Sequence, residues 1–321
     1  MAKTRYAPDR GLTARMTLTM FLLGLVFVAF IAVLVLVLAA TNRVSSGGIV
    51  FFAVLLGLVL GVGSFFYSDK IALSTARARV VTPQDSPQAA KLHGVVDRLV
   101  ALADMPKPRV AIAPSPVPNA FATGRNTKTS VLVVTTGLLN MLDDRELEGV
   151  LAHELSHVAH KDVVVMTIAS FIGIIAALLV RFAFYSELFG GGGRGRGRGG
   201  NDQNALPVVL IVMLVGMVVY AISFLLIRLL SRYRELSADR SGALLTGQPS
   251  ALASALVKVS GEISRIPTRD LRAAEPLNAF YFAPALSATR GQMTLSNIFS
   301  THPSLEKRLA SLEKISQQLS K

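Results

Sequence analysis

The sequence predicts a predominantly α-helical integral membrane protein that also carries an α+β domain with a small sheet. The chain has 321 residues, of which 51% are hydrophobic, and its mean hydropathy is +0.51. This composition is too apolar for an ordinary soluble domain. Four apolar runs are each about 18 residues or longer, enough for a helix to cross a hydrocarbon core of about 30 Å. The runs cover residues 17–40, 49–67, 163–180 and 206–230.

The basic residues at the start of the chain predict its orientation. Lys3, Arg5, Arg10 and Arg15 precede the first run, whereas only Arg43 lies between the first and second runs. Because cytoplasmic flanks carry the surplus of Lys and Arg, the N-terminus is expected in the cytoplasm. Two crossings then return the chain to the same side.

The polar segments between and after the runs complete the expected organisation, which has five parts. A Gly/Arg-rich linker at residues 190–200 joins the last two runs and cannot build a core. Within the polar segments, residues 86–103, 234–246, 251–260 and 303–319 read as helices, and residues 109–113 and 130–135 read as strands. The five parts are a cytoplasmic N-terminus (1–16), two transmembrane helices (17–67), the first part of the α+β domain (68–162), two further hydrophobic helices with their linker (163–230) and a helical second part of that domain (231–321).

Charge and cysteine content limit the partners. The formal net charge is +13 and the isoelectric point is about 10.4, which suits contact with an anionic lipid bilayer. No nucleic-acid-binding motif accompanies the basic residues, so no nucleic-acid partner is expected. The chain has no cysteine, and a metal site must therefore use His, Asp or Glu. Oligomeric state is not determined by these features.

The pattern H-E-x-x-H at His153, Glu154 and His157 is the strongest chemical signal in the chain. Four residues make about one helical turn, so both imidazoles lie on one helix face and can bind one zinc ion. Glu154 then lies where its carboxylate can take a proton from a water on that ion. Asp143 and Glu146 predict a capping box at the start of the helix. His160 is interpreted as polar cover at the helix end.

A catalytic zinc needs a third protein ligand from elsewhere in the chain. Glu235 lies shortly after the fourth apolar run, separated from the His-containing segment by an even number of crossings. Asp239 follows one turn later, which suits a carboxylate that orients a ligating histidine. Spacing alone leaves Glu235 and other acidic residues open as the third ligand, and a solvated helix face is the alternative.

Four motifs occur along the chain in the order P-N-A-F-A-T-G, H-E-L-S-H, S-R-Y-R-E-L-S-A-D and T-H-P-S. Taken together they resemble the bacterial HtpX membrane metalloproteases, which are related to the CAAX prenyl endopeptidases. The resemblance implies a zincin-like catalytic domain in which Glu235 is the third zinc ligand and Asp239 supports it. It also implies that Asn119, Ala120, Phe121 and Ala122 line the substrate cleft. His302 becomes a candidate to stabilise the oxyanion, although a helix cap before Pro303 explains it equally well.

The chain departs from the family pattern at Leu236, where an aromatic residue is common, and in its long basic linker. The resemblance implies a zinc endopeptidase of the bacterial inner membrane that cleaves misfolded or damaged membrane proteins at the cytoplasmic face during stress. The alternatives are a prenyl-protein endopeptidase, a non-catalytic basic membrane scaffold and a membrane-bound nucleic-acid tether. Four apolar runs are few for the large membrane chamber that the first alternative would need.

Overall fold

The computed structural model describes residues 10–40, 59, 63, 66–124, 126–162, 164–167, 169, 174, 178, 205–263, 265 and 302–320. The linker at 190–200 and most of the second and third apolar runs therefore lie outside the described residues. Chain contacts divide the molecule into two units. One comprises Met1–Met16, Ser64–Val165 and Arg228–Lys321, and the other comprises Thr17–Gly63 and Met166–Ile227.

The fold is mostly helical, with one small mixed sheet. The helices are α1 (Arg10–Ala40), α2 (Ser68–Thr75), α3 (Pro87–Ala103), α4 (Thr136–Met141), α5 (Asp144–Ala159), α6 (Ala205–Thr246), α7 (Pro249–Ile263) and α8 (Leu305–Leu319). The strands are β1 (Arg79–Val80), β2 (Arg109–Ala113), β3 (Ala120–Thr123) and β4 (Val131–Thr135).

Two helices among the described residues are long and apolar enough to cross a membrane. These stretches are Arg10–Phe30 in α1 and Met213–Thr246 in α6. Both match apolar runs that the sequence predicts as membrane helices. Their length and composition make the chain a membrane-protein candidate on structural grounds alone.

The sheet has the strand order β1-β2-β4-β3, so β1 and β3 are its edges. Strands β2 and β4 are parallel, and the other two neighbouring pairs are antiparallel. Residues of β2 and β4 alternate between two apolar clusters, as the twofold repeat of a strand requires. Val110, Leu132 and Val134 face the cluster that includes α3 and α5, whereas Ala111 and Val133 face the cluster that includes Ala72 of α2.

The sequence expectations for the regular elements are largely met, and the differences have local causes. Helix α3 begins after the N-cap Ser86, and β2 has the expected bounds. Helix α6 is continuous from Ala205 to Thr246, because a change from apolar to charged residues does not interrupt a helix, and its one proline, Pro207, lies in the first turn, where a missing backbone N–H is tolerated. It ends at Gly247, whose φ is +66°.

Two other helix boundaries differ from the expected ones. Helix α7 runs to Ile263, so Gly261 lies inside it and does not end it. Helix α8 starts at Leu305 after the N-cap Ser304, so Pro303 precedes the helix. A serine side chain that accepts a backbone N–H is a stronger start signal than proline at the first position.

Candidate metal centre

Helix α5 carries the two histidines and Glu154, and its first turn is fixed by a capping box. The Asp143 side chain accepts hydrogen bonds from the backbone N–H groups of Arg145 and Glu146, and the Glu146 side chain accepts from the backbone N–H of Asp143. Every residue from Glu146 to Val158 is buried. The helix that presents the site is therefore held rigidly inside the first unit.

The two imidazoles of α5 face each other through the same ring atom. Nε2 of His153 and Nε2 of His157 are 3.2 Å apart. Nδ1 of His153 lies 2.9 Å from Oδ1 of Asp239, and Nδ1 of His157 lies 2.5 Å from Oδ2 of Asp162. A carboxylate only accepts hydrogen bonds, so the neutral form of each ring would carry its proton on Nδ1 and a lone pair on Nε2. Two facing lone pairs at this distance call for a cation between them.

Glu235 of α6 supplies the third donor. Its Oε2 lies 3.6 Å from Nε2 of His153, and its Oε1 lies 3.6 Å from Nε2 of His157. Ligand atoms about 2.0–2.1 Å from a tetrahedral zinc are about 3.3–3.4 Å from one another. The observed separations of 3.2–3.6 Å match that triangle. The three side chains, all buried, form a group that could hold a metal ion.

The charges around this triangle also favour a divalent cation. Four buried carboxylates surround it, those of Glu154, Asp162, Glu235 and Asp239. Two guanidinium groups accompany them, since Arg308 pairs with Asp239 and Arg234 pairs with Asp162. When the histidines are neutral, as metal ligands must be, and the four carboxylates are ionised, four negative and two positive charges leave a net charge of −2, which a divalent ion balances. Uncompensated buried charge is costly, so the donor set and the charge balance fit a metal such as zinc.

The pKa values of His153 and Asp162 are shifted by the buried charges around the triangle. Burial alone would lower the pKa of His153, but hydrogen bonding to Asp239 and Glu235 and the charge of Asp239 raise it to about 9. For Asp162, burial acts to raise the pKa, but the Arg234 guanidinium and the bond to His157 lower it overall. Asp162 therefore stays ionised, and His153 attracts a positive species at Nε2.

Glu154 lies on the same helix face but is held by the sheet. Its Oε2 accepts a hydrogen bond of 3.2 Å from the backbone N–H of Ala122 in edge strand β3. Its Oε1 lies 4.0 Å from Nε2 of His153. Burial raises the pKa of Glu154, although the charges of His153 and His157 oppose the rise. A raised carboxyl pKa suits a group that both takes up and returns a proton.

The other residues named from the resemblance lie close to this centre in different ways. His302 is buried, and its Nδ1 lies 3.0 Å from Oε2 of Glu235. The backbone of Asn119 bonds to Thr135, and Phe121 packs in the apolar cluster on the far face of the sheet. Of this stretch, the Ala122 backbone contacts Glu154 directly. His160 caps the end of α5 and lies outside the His153, His157 and Glu235 group.

Three functional neighbours were missed by sequence reasoning. Asp162 follows α5 directly, but it reaches His157 only because Lys161 adopts a left-handed backbone conformation with φ of 57°. Arg234 lies in the segment for which a solvated helix face is the alternative interpretation, and the structure pairs it with Asp162. Arg308 gave no local signal apart from its place among the apolar positions of α8. Its buried contact with Asp239 arises from tertiary packing.

Comparison with known proteins places this geometry in a family. Residues 86–316 match the model of peptidase family M48. The chain is 56% identical over 317 residues to Protease HtpX homolog 1 of Streptomyces coelicolor, covering 99% of this chain and 97% of that protein. It is 48% identical to the HtpX homolog of Moorella thermoacetica, with 97% and 96% coverage. It is also 48% identical to Protease HtpX homolog 2 of Methanosarcina mazei, with 99% and 100% coverage.

A solved structure gives a weaker match. The crystal structure of S. mikatae Ste24p aligns with a TM-score of 0.49 and 19% identity, covering 95% of this chain and 66% of that one. The family match and the full-length relatives accord with a helical membrane chain that brings two histidines and a glutamate together. The chain therefore belongs to peptidase family M48 and is a membrane metalloprotease of the HtpX type.

Proposed function

We propose that this chain is a zinc-dependent endopeptidase that cleaves misfolded or damaged membrane proteins at the cytoplasmic face of the membrane. The observation that carries the proposal is the triangle of donor atoms at 3.2–3.6 Å, in a cluster with four buried carboxylates and two guanidinium groups. Three protein ligands with one open position are typical of catalytic zinc, whereas structural zinc sites are closed by a fourth protein ligand. In this proposal the ligands are His153, His157 and Glu235.

Zinc bound there supplies a Lewis acid that makes a water nucleophilic at neutral pH and polarises the peptide carbonyl. The remaining steps belong to the side chains. Asp239 and Asp162 hold the Nδ1 protons of the two histidines, which keeps each Nε2 available as a ligand atom. Glu154 takes the proton of the attacking water and passes it to the leaving amine.

The position of Glu154 supports its proposed role in proton transfer. The Ala122 N–H holds one of its oxygens, Oε2, and the other, Oε1, is the one within 4.0 Å of Nε2 of His153. The carboxylate is thus anchored at one end and directed toward the proposed metal at the other. The pKa of Glu154 is raised toward neutral pH, where a group that takes up and returns a proton works best.

Edge strand β3 is the proposed binding surface for the substrate backbone. Asn119 directs its backbone groups to Thr135 of β4. Because these groups alternate along an antiparallel strand, Ala120 and Ala122 direct theirs away from the sheet. An extended peptide would pair with this free edge, next to Glu154. In this proposal Asn119 and Phe121 hold the strand in place, while the outward backbone groups of Ala120 and the carbonyl of Ala122 pair with the peptide, since the Ala122 N–H is held by Glu154.

His302 remains the proposed stabiliser of the oxyanion that develops on the peptide carbonyl. The ring lies beside Glu235, with Nδ1 3.0 Å from Oε2, so it is already within the metal centre. A positioned donor next to the reacting carbonyl lowers the energy of the charged transition state. The same contact also orients the Glu235 carboxylate.

Zinc dependence can be tested directly on the detergent-purified chain. We expect about one zinc per chain by metal analysis, and casein cleavage that a chelator abolishes and added zinc restores. Cobalt and manganese are informative substitutes because His and Glu ligands accept several ions. Cleavage that persists after complete metal removal would contradict the proposal.

Substrate class is tested by comparing two forms of one membrane protein. A destabilised variant should be cleaved faster than its stable parent, because an extended segment must leave its own fold to pair with β3. A prenylated peptide serves as the comparison substrate. Preferential cleavage of that peptide would favour the related prenyl-protein endopeptidase activity.

The same proposal includes four membrane-spanning runs and a zincin-like catalytic domain, which is formed by residues 68–162 together with residues 231–321.

Membrane topology can be tested by cysteine labelling. Because the chain lacks cysteine, each introduced cysteine is labelled without a background signal. Residue 45 lies between the first two runs, on the proposed outer side of the membrane. The Ser45→Cys variant should therefore react with a membrane-impermeant maleimide on intact spheroplasts. Lys91→Cys replaces an exposed side chain of α3 and should react only after lysis. Reaction of both variants before lysis would contradict a cytoplasmic active site.

A further inference from the structure

The guanidinium of Arg308 is buried deep in the first unit. The residue is 1% exposed and has the largest fully buried side chain among the described residues. Its Nε donates to Oδ2 of Asp239 across 2.8 Å, and its Nη2 donates to Oδ1 of Asp239 across 2.6 Å. This bidentate geometry is specific to arginine, because the ammonium of lysine cannot form two parallel hydrogen bonds to one carboxylate.

The carboxylate that Arg308 grips is the one that orients His153. Oδ1 of Asp239 receives Nη2 of Arg308 and also lies 2.9 Å from Nδ1 of His153. Nη1 of Arg308 lies 4.0 Å from Oε2 of Glu235. One guanidinium is therefore in contact with the partner of one proposed metal ligand and close to another.

Helix α8 also packs through apolar contacts that do not involve this pair. Leu312 and Ile315 of α8 are buried in the main apolar cluster, together with Leu252, Leu256 and Val259 of α7. Burying an ion pair adds little stability compared with apolar residues of similar size. A residue that served only to hold α8 in place would be better replaced by another apolar side chain.

We propose that Arg308 is a positioning residue of the peptidase reaction, which fixes the Asp239 carboxylate so that His153 presents Nε2 to the metal. The inference rests on the proposed metal function of His153. It makes the C-terminal helix α8 part of the metal centre, since the centre is incomplete without a side chain from that helix. Arg308 acts through Asp239 and does not itself contact the substrate.

The test measures metal affinity in the full-length chain by competition with a chromogenic chelator. Arg308→Lys keeps the buried positive charge but loses the bidentate hydrogen bond to Asp239. We therefore expect a roughly 10–100-fold loss of metal affinity, as found when the partner of a metal-ligating histidine is removed. Lys307→Met, on the exposed face of the same helix, should bind metal as the wild type does. Unchanged affinity in Arg308→Lys would overturn the proposal.

Two further readouts separate positioning from simple packing. Leu312→Ala loosens α8 without touching Asp239, so it should lower the unfolding temperature while leaving the absorption spectrum of the cobalt-substituted chain unchanged. Arg308→Lys should change that spectrum. Equal spectral changes in both variants would show that Arg308 merely packs α8, and the proposal would be wrong.

A double variant checks the route through Asp239. If Arg308 acts on His153 through that carboxylate, Arg308→Lys combined with Asp239→Asn should lose little more affinity than Asp239→Asn alone. Fully additive losses would contradict the route. Failure of the proposed function itself is recognised separately, because the wild type would then bind no stoichiometric metal at all.

Discussion

The backbone N–H of Ala122 donates a hydrogen bond to Oε2 of Glu154 across 3.2 Å, joining the edge strand to the proposed base. The amide that holds Glu154 belongs to the edge strand that, in the proposed mechanism, pairs with the substrate backbone. Strand β3 therefore has two tasks in the proposed mechanism, since it positions the base and binds the peptide. Pairing of a substrate with β3 places the scissile bond close to the carboxylate.

Replacing Glu154 by Gln should remove proteolysis and leave metal binding intact. The amide oxygen of glutamine can still accept the Ala122 N–H, so the local structure persists, but the side chain can no longer take up a proton. Loss of a general base costs about 10²–10⁴-fold in rate. The measurements are casein cleavage and metal content, with Glu313→Gln on the exposed face of α8 as the matched control. Cleavage at the wild-type rate by Glu154→Gln would exclude the assigned role.

Replacing Glu235 by Ala should remove one of the three donors of the triangle. Only the two histidines then remain, and we expect the bound metal to fall well below one per chain after dialysis. Glu262→Ala is the control, because the half-exposed Glu262 pairs with nearby Arg265 at the end of α7, away from the donor triangle. Metal content equal to that of the control would remove Glu235 from the ligand set.

Replacing Asp162 by Asn tests the partner of His157. Asparagine can still accept from Nδ1, but it loses the charge that strengthens the bond and that Arg234 balances. We expect metal affinity to fall roughly 10–100-fold. Asp144→Asn alters an exposed carboxylate at the start of α5 that pairs with Lys91, and its affinity should match the wild type. Equal affinities for both variants would show that Asp162 has no part in the centre.

The parts of the site that sequence predicts are those fixed by local geometry. The spacing of His153 and His157 brings two rings together because a helix repeats every 3.6 residues, and the Asp143–Glu146 capping box is confirmed for the same reason. Glu235 lies far along the chain, and only the family resemblance singled it out from other acids. The structure brings it beside both rings, while its role as a ligand stays a prediction.

The remaining contacts depend on tertiary packing and could not be predicted. Asp162 reaches His157 through a left-handed turn at Lys161, a conformation that a lysine rarely adopts and no sequence pattern announces. Arg308 reaches Asp239 because α8 packs across the end of the site. Strand β3 was expected only as a cleft wall, since its four residues show no clear alternation of polar and apolar side chains.

The stability of the site helix should depend on pH through Glu146. Its side chain accepts from Ser254 and Lys258 of α7 and from the backbone of Asp143. Burial acts to raise the pKa of Glu146, but these bonds lower it overall below the usual 4.5. A carboxyl whose pKa is lowered on folding stabilises the fold above its unfolded pKa, and this contribution is lost as the pH falls through the folded value.

Glu146→Gln should therefore lower the free energy of unfolding at pH 7 by about 1.5–3 kcal/mol, the usual range for hydrogen bonds to a charged group. The difference from the wild type should be constant near neutrality and shrink below about pH 4.5, where Glu146 becomes protonated in the unfolded chain. Unfolding followed by circular dichroism in detergent between pH 3 and pH 8 measures this. A difference that grows as the pH falls would contradict the sign of the shift.

Gly242 allows helix α6 to approach the backbone of α5 at the site itself. A Cβ at this position would lie 2.9 Å from the backbone nitrogen of His153 and 3.2 Å from its Cα. Backbone atoms of a buried helix cannot move aside, so Gly242→Ala should push α6 away and carry Glu235 and Asp239 with it. We expect metal affinity to fall at least about tenfold, as for other losses of support around a ligating histidine.

The matched control is Gly261→Ala in α7, where a Cβ would meet nothing within 4 Å. Both substitutions gain the same intrinsic helix propensity, about 1 kcal/mol for alanine over glycine, so only the clash distinguishes them. Gly261→Ala should bind metal normally and unfold at an equal or higher temperature. If Gly242→Ala behaved in the same way, close contact between α5 and α6 would not be what holds Glu235 beside the two histidines.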